Sequence, residues 1–498
     1  MGLKSTIAKW AAAVEVPRIY RDQQQAVIIQ HQLLTDFLHT ARHTHFGRAH
    51  EFSAITTYSE FTERVEIKDY EGFRDYIERI ATGEKDVLWP GLPIYFCKSS
   101  GTTSGTKYIP ATKLQINAMI TAARQSLLLY VHETSKADFF DHKMIFLQGS
   151  PLLDKHGVIP AGRLSGIVAN HVPFYVAANR MPSFDVNCIE DWEQKVEAIA
   201  QETVHLPMSL ISGIPPWVVM YFERLQKLSG KEKIKDIFPK FSVFAYGGVN
   251  YAPYRAKIEA MIGFPIDSIE TYPASEGFIA FQDKQKEPGL LLNVNGGIFY
   301  EFVKAEEAHL PKAKAISLAD VELNVNYALI LTTNAGLWRY SIGDTVKFVS
   351  LKPYRIIVTG RIKHFISAFG EHVIGEEVES ALMQAMRQMK AGVTEFTVAP
   401  QVNPAEELPY HEWFIEFSQL PNSMLQFSGM IDVKLQERNS YYFDLRQGGV
   451  LGELKISRLQ PNAFVELMKA EGKLGGQNKV LRLMNDRTIA DKLLPFVI

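Results

Sequence analysis

The segment Lys98–Pro110, with the sequence KSSGTTSGTKYIP, carries the strongest local signal in the chain. It lies between the apolar run Ile94–Cys97 and the strand-like pair Tyr108-Ile109. Its glycines permit tight turns and close approach of the backbone to a ligand. The serine and threonine hydroxyls, with the backbone N–H groups, form a concave surface suited to an anion, and Lys107 adds a charge that can pair with a phosphate. The segment therefore predicts a phosphate-binding loop between two strands.

The spacing within this segment excludes a Walker A loop. That pattern requires a glycine, four further residues and then Gly-Lys-Ser/Thr. Here three residues separate Gly101 from Gly105, and Thr106 stands between Gly105 and Lys107. A flexible surface loop is the other interpretation, but such a loop seldom connects an apolar strand directly to another strand. The spacing instead resembles the phosphate loop of adenylate-forming enzymes.

Composition excludes several classes of protein. The chain has 498 residues, of which 46% are hydrophobic and 22% charged, as in soluble globular proteins of several domains. A net charge of -2 provides no basic field for nucleic acid. Two cysteines, Cys97 and Cys188, favour a reducing compartment. We found no apolar run of the roughly 20 residues that cross a bilayer and no export signal. We therefore expect a cytoplasmic protein that binds neither nucleic acid nor membranes.

The central part of the chain has the alternating strand and helix pattern of an α/β domain. Short apolar runs alternate with longer helical segments, which indicates a mixed or parallel sheet with helices packed on it. The predicted strands are Lys143–Leu147, Ser209–Ile211, Ser242–Ala245 and Tyr327–Thr332, and the predicted helices are Lys4–Val14, Asp22–Thr44, Phe73–Ile80, Trp192–Glu202, Trp217–Leu228 and Arg255–Met261.

The pattern of predicted helices and strands changes after about Gly360. The order of elements there fits a small α+β unit, with helices over Val373–Met389 and Ser423–Arg438 and strands at Glu395–Val398, Glu412–Phe417 and Gly452–Ile456. We therefore predict a large N-terminal domain, residues 1–360, and a small mobile C-terminal domain, residues 361–498.

Two motifs in the centre of the chain suit a nucleotide. Ala245–Val249 (AYGGV) follows a short apolar strand and would let a flat ring lie against exposed backbone. Glu270–Gly277 (ETYPASEG) places an aromatic ring, a hydroxyl and a carboxylate on one turn, where they can contact a base, a phosphate and a metal ion. Mg²⁺ prefers one or two carboxylates together with nucleotide oxygens, so Glu276 is a candidate ligand. Taken alone, Glu276 would be interpreted as a solvated surface acid.

A third motif, Trp338–Asp344 (WRYSIGD), precedes the predicted strand Thr345–Val349. A carboxylate at a glycine turn can accept two hydrogen bonds from the vicinal hydroxyls of a ribose, and Asp344 stands at such a position. Arg361 follows Gly360 and could bind ribose or phosphate, while the glycine suits a hinge. An isolated Gly-Asp pair is ordinarily only a turn.

Together, the order of these motifs resembles the adenylate-forming superfamily that includes acyl-CoA synthetases and firefly luciferase. The resemblance is closer to its branch of acyl acid amido synthetases, the auxin-responsive Gretchen Hagen family. Val87–Gly91 (VLWPG) precedes the phosphate loop as in bacterial members. Near the C-terminus, the spaced residues of Asp432–Arg446 and the lysine segment Gly475–Arg482 (GGQNKVLR) also match the family.

The resemblance implies a reaction in two steps. ATP, with Mg²⁺, converts a small carboxylic acid to an acyl-adenylate and pyrophosphate, and an amine, usually of an amino acid, then takes the acyl group to form an amide. It also implies the following roles: Ser99, Ser100, Gly101, Thr102, Thr103 and Lys107 bind the triphosphate, Gly247, Gly248 and Tyr272 bracket the adenine, Ser275 approaches the α-phosphate, Glu276 holds Mg²⁺, Asp344 and Arg361 bind the ribose, Lys363 is the hinge, and Lys479 reaches the carboxylate and the α-phosphate.

Two alternatives remain at this level. An acyl-CoA synthetase would use the same adenylate, but the longer Gly/Lys-rich loop and the Pro-Lys-x-x-x-Gly-Lys tail of CoA-forming members are absent. An idle homologue would only bind an acid or a nucleotide, and the joint presence of Glu276, Asp344, Arg361 and Lys479 argues against it. The residues leave the acid, the amine and the oligomeric state open.

Overall fold

The computed structural model describes residues 2–99, 106–171, 178–248, 251–305, 307–308, 310, 313–362, 365–371, 373–471 and 482–498. Ser100–Thr103, Lys363 and Lys479, to which the sequence assigns roles, therefore lie outside the described residues. Backbone alone is described for Arg361. Within the described residues, no helix combines the length and the apolar character that crossing a membrane requires.

The described helices alternate with strands through the centre of the chain. They are α1 (Leu3–Gln24), α2 (Ala26–Ala41), α3 (His45–Ala49), α4 (Tyr58–Arg64), α5 (Arg74–Ala81), α6 (Lys113–Thr134), α7 (Leu164–Ala169), α8 (Phe184–Asn187), α9 (Trp192–Thr203), α10 (Pro215–Ser229), α11 (Ile234–Ile237), α12 (Ala252–Ile262), α13 (Gly375–Met389), α14 (Met424–Arg438), α15 (Ser440–Gln447), α16 (Ala463–Ala470) and α17 (Ala490–Leu493).

The described strands have the following bounds. They are β1 (Tyr95–Ser99), β2 (Lys107–Ala111), β3 (Lys143–Phe146), β4 (Asp154–His156), β5 (Ile159–Arg163), β6 (Arg180–Met181), β7 (Met208–Ser212), β8 (Val243–Gly247), β9 (Asp267–Ala274), β10 (Gly277–Phe281), β11 (Leu290–Leu292), β12 (Ile298–Lys304), β13 (Ala315–Ser317), β14 (Asn326–Thr333), β15 (Tyr340–Leu351), β16 (Tyr354–Arg361), β17 (Phe365–Ile366), β18 (Val373–Ile374), β19 (Gly392–Gln401), β20 (Tyr410–Gln419) and β21 (Lys455–Leu459).

Most of these strands belong to one large mixed sheet. Its 12 strands lie in the order β13-β12-β14-β15-β16-β11-β10-β9-β8-β7-β3-β6. The strands from β6 to β9 pair in parallel, whereas β9 and the strands on its other side pair antiparallel. A second sheet has four strands in the order β2-β1-β5-β4. The predicted α/β fold with mixed and parallel sheet is confirmed.

A smaller α+β unit follows the large sheet in sequence. Its sheet has the order β19-β20-β21, with β19 antiparallel and β21 parallel to β20. Helices α13, α14 and α15 contribute buried residues such as Leu382, Ile431 and Tyr442 to the core that covers it. The strand predicted at Gly452–Ile456 is displaced along the chain and runs over Lys455–Leu459. The predicted small α+β architecture is confirmed.

Three further sequence predictions differ from the structure at element boundaries. Helix α1 continues past Val14 and through Pro17, and the segment predicted as one helix from Asp22 is divided at Gln25. Val373-Ile374 forms strand β18, paired with β17, so the helix predicted from Val373 begins at Gly375. Tertiary contacts decide these boundaries: the buried Gln23 next to the division donates through its amide to the carbonyl of Leu292.

Candidate functional site

Strands β1 and β2 form the base of the predicted phosphate loop. They pair antiparallel, with Ser99 opposite Lys107 and Cys97 opposite Ile109. Nζ of Lys107 lies 5.7 Å from the ring centre of Tyr70, whose hydroxyl accepts a 2.9 Å hydrogen bond from the backbone N–H of Tyr108. The two ends of the loop are thus held side by side, and Ser99 and Lys107 face one another there.

The glycine pair predicted to border the adenine lies at the end of β8. Gly247 pairs with Thr271 of β9, and a Cβ atom at Gly247 would lie 2.4 Å from the carbonyl oxygen of Thr271. Gly248 has a φ of +77°, a conformation that favours glycine. Only glycines permit this approach of the two backbones, and the adjacent Gly248 is exposed at the strand end.

Ser275 and Glu276 form a two-residue turn between β9 and β10. Ala274 pairs with Gly277 on the two sides of the turn. Glu276 is 5% exposed. Burial, together with the negative charge of Glu276, raises the pKa of the Cys97 thiol to about 12. The carboxylate of Glu276 therefore acts electrostatically on Cys97, which lies in β1 two residues before Ser99.

Tyr272 and Asp344 meet although they belong to separate motifs. The Tyr272 hydroxyl donates a 2.5 Å hydrogen bond to Oδ2 of Asp344. Both residues are buried, with exposures of 8% and 7%. Asp344 pairs across the sheet with Arg361 at the end of β16. The structure therefore brings the residues predicted to contact adenine and ribose to one place.

Asp344 does not stand in a turn before a strand, as the sequence had predicted, but inside β15. The register between β14 and β15 changes from Ile330 opposite Ser341 to Ala328 opposite Thr345, so β15 carries extra residues at this point. Gly343 has a φ of +88°, which fits a bulge. The bulge interrupts the pairing of β15 with β14 next to Asp344, while Asp344 keeps its pairing with Arg361 of β16.

Gln115 is a residue of this site that sequence reasoning missed. It lies in the first turn of α6, directly after β2, and its Nε2 donates a 3.1 Å hydrogen bond to the carbonyl oxygen of Ser275. The available signal was Thr112-x-x-Gln115, the spacing of a helix capping box. That signal indicates a helix start but not the distant contact.

Other residues in the sequence motifs have structural roles. Arg339 is buried and donates to Glu301 at 3.0 Å and to the carbonyl of Val65 at 2.6 Å. Asp432, in the small unit, accepts from the Tyr442 hydroxyl at 2.5 Å and from Arg446 at 3.0 Å. Both carboxylates are held in buried networks, so these matches to the family pattern reflect packing of the core.

One carboxylate at the site suits a magnesium ion that travels with a nucleotide. No group of three or more His, Cys, Asp or Glu side chains among the described residues could by itself hold a metal. Mg²⁺ commonly takes one or two protein carboxylates and completes its shell with phosphate oxygens and water. Glu276, buried in the β9–β10 turn, fits that requirement.

Solved structures define the class of fold. GH3.15 acyl acid amido synthetase aligns with a TM-score of 0.61 and 17% identity, over 96% of this chain and 95% of that one. A 2-hydroxyisobutyryl-CoA ligase aligns with a TM-score of 0.59 and 13% identity, over 95% of this chain and 92% of the ligase. This chain therefore shares its fold with these two enzymes.

Matches to models of protein families identify the family within this class of fold. The models described as GH3 family N-terminal domain, GH3 family central domain and GH3 family C-terminal domain match residues 16–185, 291–361 and 376–488. The chain belongs to the GH3 family, the Gretchen Hagen family that the motifs had indicated.

Curated relatives match over parts of their length. A GH3 domain-containing protein of Mus musculus is 30% identical over 40% of this chain, and the match spans 39% of that relative. Indole-3-acetic acid-amido synthetase GH3.3 of Arabidopsis thaliana is 26% identical over 39% of this chain and 35% of its own length. Jasmonoyl–L-amino acid synthetase JAR6 of Nicotiana attenuata is 23% identical over 64% of this chain and 66% of its own.

Proposed function

We propose that this chain is an ATP-dependent acyl acid amido synthetase. It adenylates a small carboxylic acid, releases pyrophosphate, and transfers the acyl group to an amine, in the first instance the α-amino group of an amino acid. The observation that carries the proposal is the contact between Tyr272 and Asp344, with the buried Glu276 in the β9–β10 turn that directly follows the strand of Tyr272. The names of two relatives support it: the Arabidopsis protein is an indole-3-acetic acid-amido synthetase, and the Nicotiana protein is a jasmonoyl–L-amino acid synthetase.

The proposed roles follow from charge and position. A carboxylate is a poor electrophile, and bonding its oxygen to AMP makes a good leaving group. Ser99 and Lys107 stand where the triphosphate would lie, and the backbone at Gly247 and Gly248 offers a surface for the adenine. A magnesium ion held by Glu276 would neutralise charge on the phosphates. Donors aimed at the α-phosphate lower the barrier because negative charge grows there.

The proposal retains the two-domain division, the hinge and the cytoplasmic location. Residues 1–360 would form the large domain and residues 361–498 the small one, which would rotate about Lys363 so that Lys479 serves the first half-reaction only. An acyl-CoA synthetase is the second candidate, because the fold also aligns with a CoA ligase. That enzyme would form a thioester from ATP, acid and CoA with no amino acid present.

ATP–pyrophosphate exchange tests the proposed function. The assay is run with Mg²⁺ against pooled aliphatic, aromatic and indolic carboxylic acids, with neither amino acid nor CoA present. We expect exchange that depends on one pool, followed by amide formation when amino acids are added. Thioester formation with CoA alone would favour the second candidate. No exchange with any pool, from protein that binds ATP, would favour a homologue without this activity.

The Asp344→Ala variant is expected to bind ATP about a hundredfold more weakly, because hydrogen bonds from two ribose hydroxyls to a charged group are lost. The measurement is ATP affinity by calorimetry. Tyr272→Phe is the matched control: it removes the hydroxyl that contacts Asp344 but leaves the carboxylate, so we expect a loss of a few fold at most. ATP affinity within threefold of wild type in Asp344→Ala would exclude the ribose role.

The Lys363→Pro variant is expected to slow amide formation about tenfold more than adenylation, because proline restricts the backbone rotation that a hinge requires. The two half-reactions are measured separately, by pyrophosphate exchange and by transfer of a preformed adenylate. Lys363→Ala, which removes the side chain alone, should keep the ratio of the two rates. Equal losses of both rates in Lys363→Pro would contradict a hinge at this position.

A further inference from the structure

Among the described residues of 1–360, three glutamines are buried, and the amide oxygen of one of them has no hydrogen-bond donor. In Gln23 and Gln30 the amide nitrogen donates to backbone carbonyls and the amide oxygen accepts from a backbone N–H; the carbonyls belong to Leu292, Val294 and Ile298, and the N–H groups to Tyr354 and Tyr300. Gln115 is equally buried, at 2% exposed, and its Nε2 donates to Ser275. Its Oε1 is buried and accepts no hydrogen bond.

The start of α6 would also allow the Gln115 side chain to adopt the conformation of a helix capping box. In a capping box the third residue of the helix folds back and bonds the backbone N–H of the cap residue. Thr57 and Glu60 form such a box at the start of α4. At α6 the Thr112 hydroxyl accepts from the backbone N–H of Gln115, but the Gln115 side chain extends away to Ser275, 160 positions along the chain. A contact across the fold has replaced the local one.

The position of the amide oxygen follows from this contact. An amide places its nitrogen and oxygen on the same carbon, so Oε1 lies next to Nε2, the atom that is bonded to the Ser275 carbonyl of the β9–β10 turn. A buried acceptor without a donor is unfavourable for the protein alone. Such an acceptor is less unfavourable in the complex when a bound ligand supplies the donor. The acceptor therefore marks a place where the ligand of this turn presents an O–H or N–H group.

The groups of the proposed ligand, ATP with its magnesium ion, indicate which of them donates to Oε1 of Gln115. The triphosphate of ATP offers acceptors at neutral pH, and its adenine amino group belongs with Gly247 and Gly248 at the end of β8. A magnesium ion keeps several bound waters, and a bound cation polarises such water, which makes it a strong donor. Glu276, the neighbour of Ser275, is the carboxylate that fits the cation.

We propose that Gln115 is a positioning residue of the nucleotide site. Its Nε2 fixes the carbonyl of Ser275 and so the direction of Glu276, and its Oε1 accepts a hydrogen bond from a water of the hydrated cation that accompanies ATP. This inference rests on the proposed function. It adds a residue of the first turn of α6 to the cation's surroundings, where the carboxylate is supplied by the β9–β10 turn.

The test measures ATP affinity by calorimetry, in excess Mg²⁺ and again in EDTA. Gln115→Leu is expected to weaken ATP binding about tenfold with Mg²⁺, as for one hydrogen bond of a charged group, and less than twofold in EDTA. Gln115→Met, closer in shape, serves if the leucine variant does not fold. Gln30→Leu is the matched control: it removes a buried, fully bonded glutamine, so it should lower the melting temperature and leave both affinities unchanged.

Other results would overturn the inference. Unchanged affinity with Mg²⁺ in Gln115→Leu or Gln115→Met would exclude the role, and an equal loss in Mg²⁺ and EDTA would exclude the cation's water as the donor. Acid-dependent exchange by the wild-type protein separates the two proposals: if it is present, these results overturn the role of Gln115 alone. If wild-type protein binds no ATP, the proposed function and the role of Gln115 fail together.

Discussion

Replacing Glu276 with glutamine lowers acid-dependent ATP–pyrophosphate exchange by about three orders of magnitude, if Glu276 holds the cation of ATP. The substitution keeps the size of the side chain and removes its charge. The charge matters here because Glu276 is only 5% exposed, so water screens it little. A neutral amide is a weaker ligand of a hard divalent cation than a carboxylate, because it lacks the negative charge.

The effect should depend on the concentration of Mg²⁺. We expect high Mg²⁺ to restore part of the exchange in Glu276→Gln, because a weakened site still fills by mass action. Glu287→Gln is the matched control: Glu287 is an exposed carboxylate that pairs with Arg355 at 2.6 Å, outside the site, and its loss should leave exchange unchanged. Exchange in Glu276→Gln within threefold of wild type at every Mg²⁺ concentration would exclude the assignment.

The Lys479→Ala variant is expected to lose acid-dependent exchange by about two to three orders of magnitude while ATP binding survives. The resemblance places this lysine at the carboxylate and the α-phosphate, where negative charge grows in the transition state. Many groups of the large domain contribute to the binding of ATP in the ground state. Lys479→Ala should therefore lower the rate of exchange and leave the affinity for ATP largely unchanged. Exchange and calorimetric ATP affinity, measured on the same preparation, separate the two effects.

A second lysine of the small unit provides the control for Lys479. Lys469 is exposed in the last turn of α16, and Lys469→Ala removes an equal charge from the same part of the chain. We expect that variant to exchange like the wild-type protein. Wild-type adenylation by Lys479→Ala would exclude the catalytic role, whereas loss of exchange in both variants would show a general dependence on the charge of the small unit.

Much of the fold could be predicted from periodicity alone. The strands of the parallel part of the large sheet, β3, β7 and β8, appear in the sequence as short apolar runs because they are covered on both faces. The helices between them show an apolar stripe, and α9 and α10 lie within a few residues of their predicted bounds. Glycine positions such as Gly247 could also be recognised, because the glycine itself is visible in the sequence directly after an apolar strand.

The order of the motifs was sufficient to identify the family, because each motif is a local string. The sequence by itself therefore determined the fold class, the family and the candidate residues Glu276 and Asp344. These are properties of segments whose local interactions and side-chain chemistry can be recognised within a few residues.

Only the tertiary structure decided which of these groups meet. Tyr272 and Asp344 are 72 positions apart, and Gln115 and Ser275 are 160 apart. The division of the N-terminal helix at Gln25 and the bulge at Gly343 are likewise set by neighbours distant in sequence. The physical reason is that local propensity differs little between the alternatives at such positions, so burial and long-range hydrogen bonds, which exist only in the assembled sheets, select the conformation.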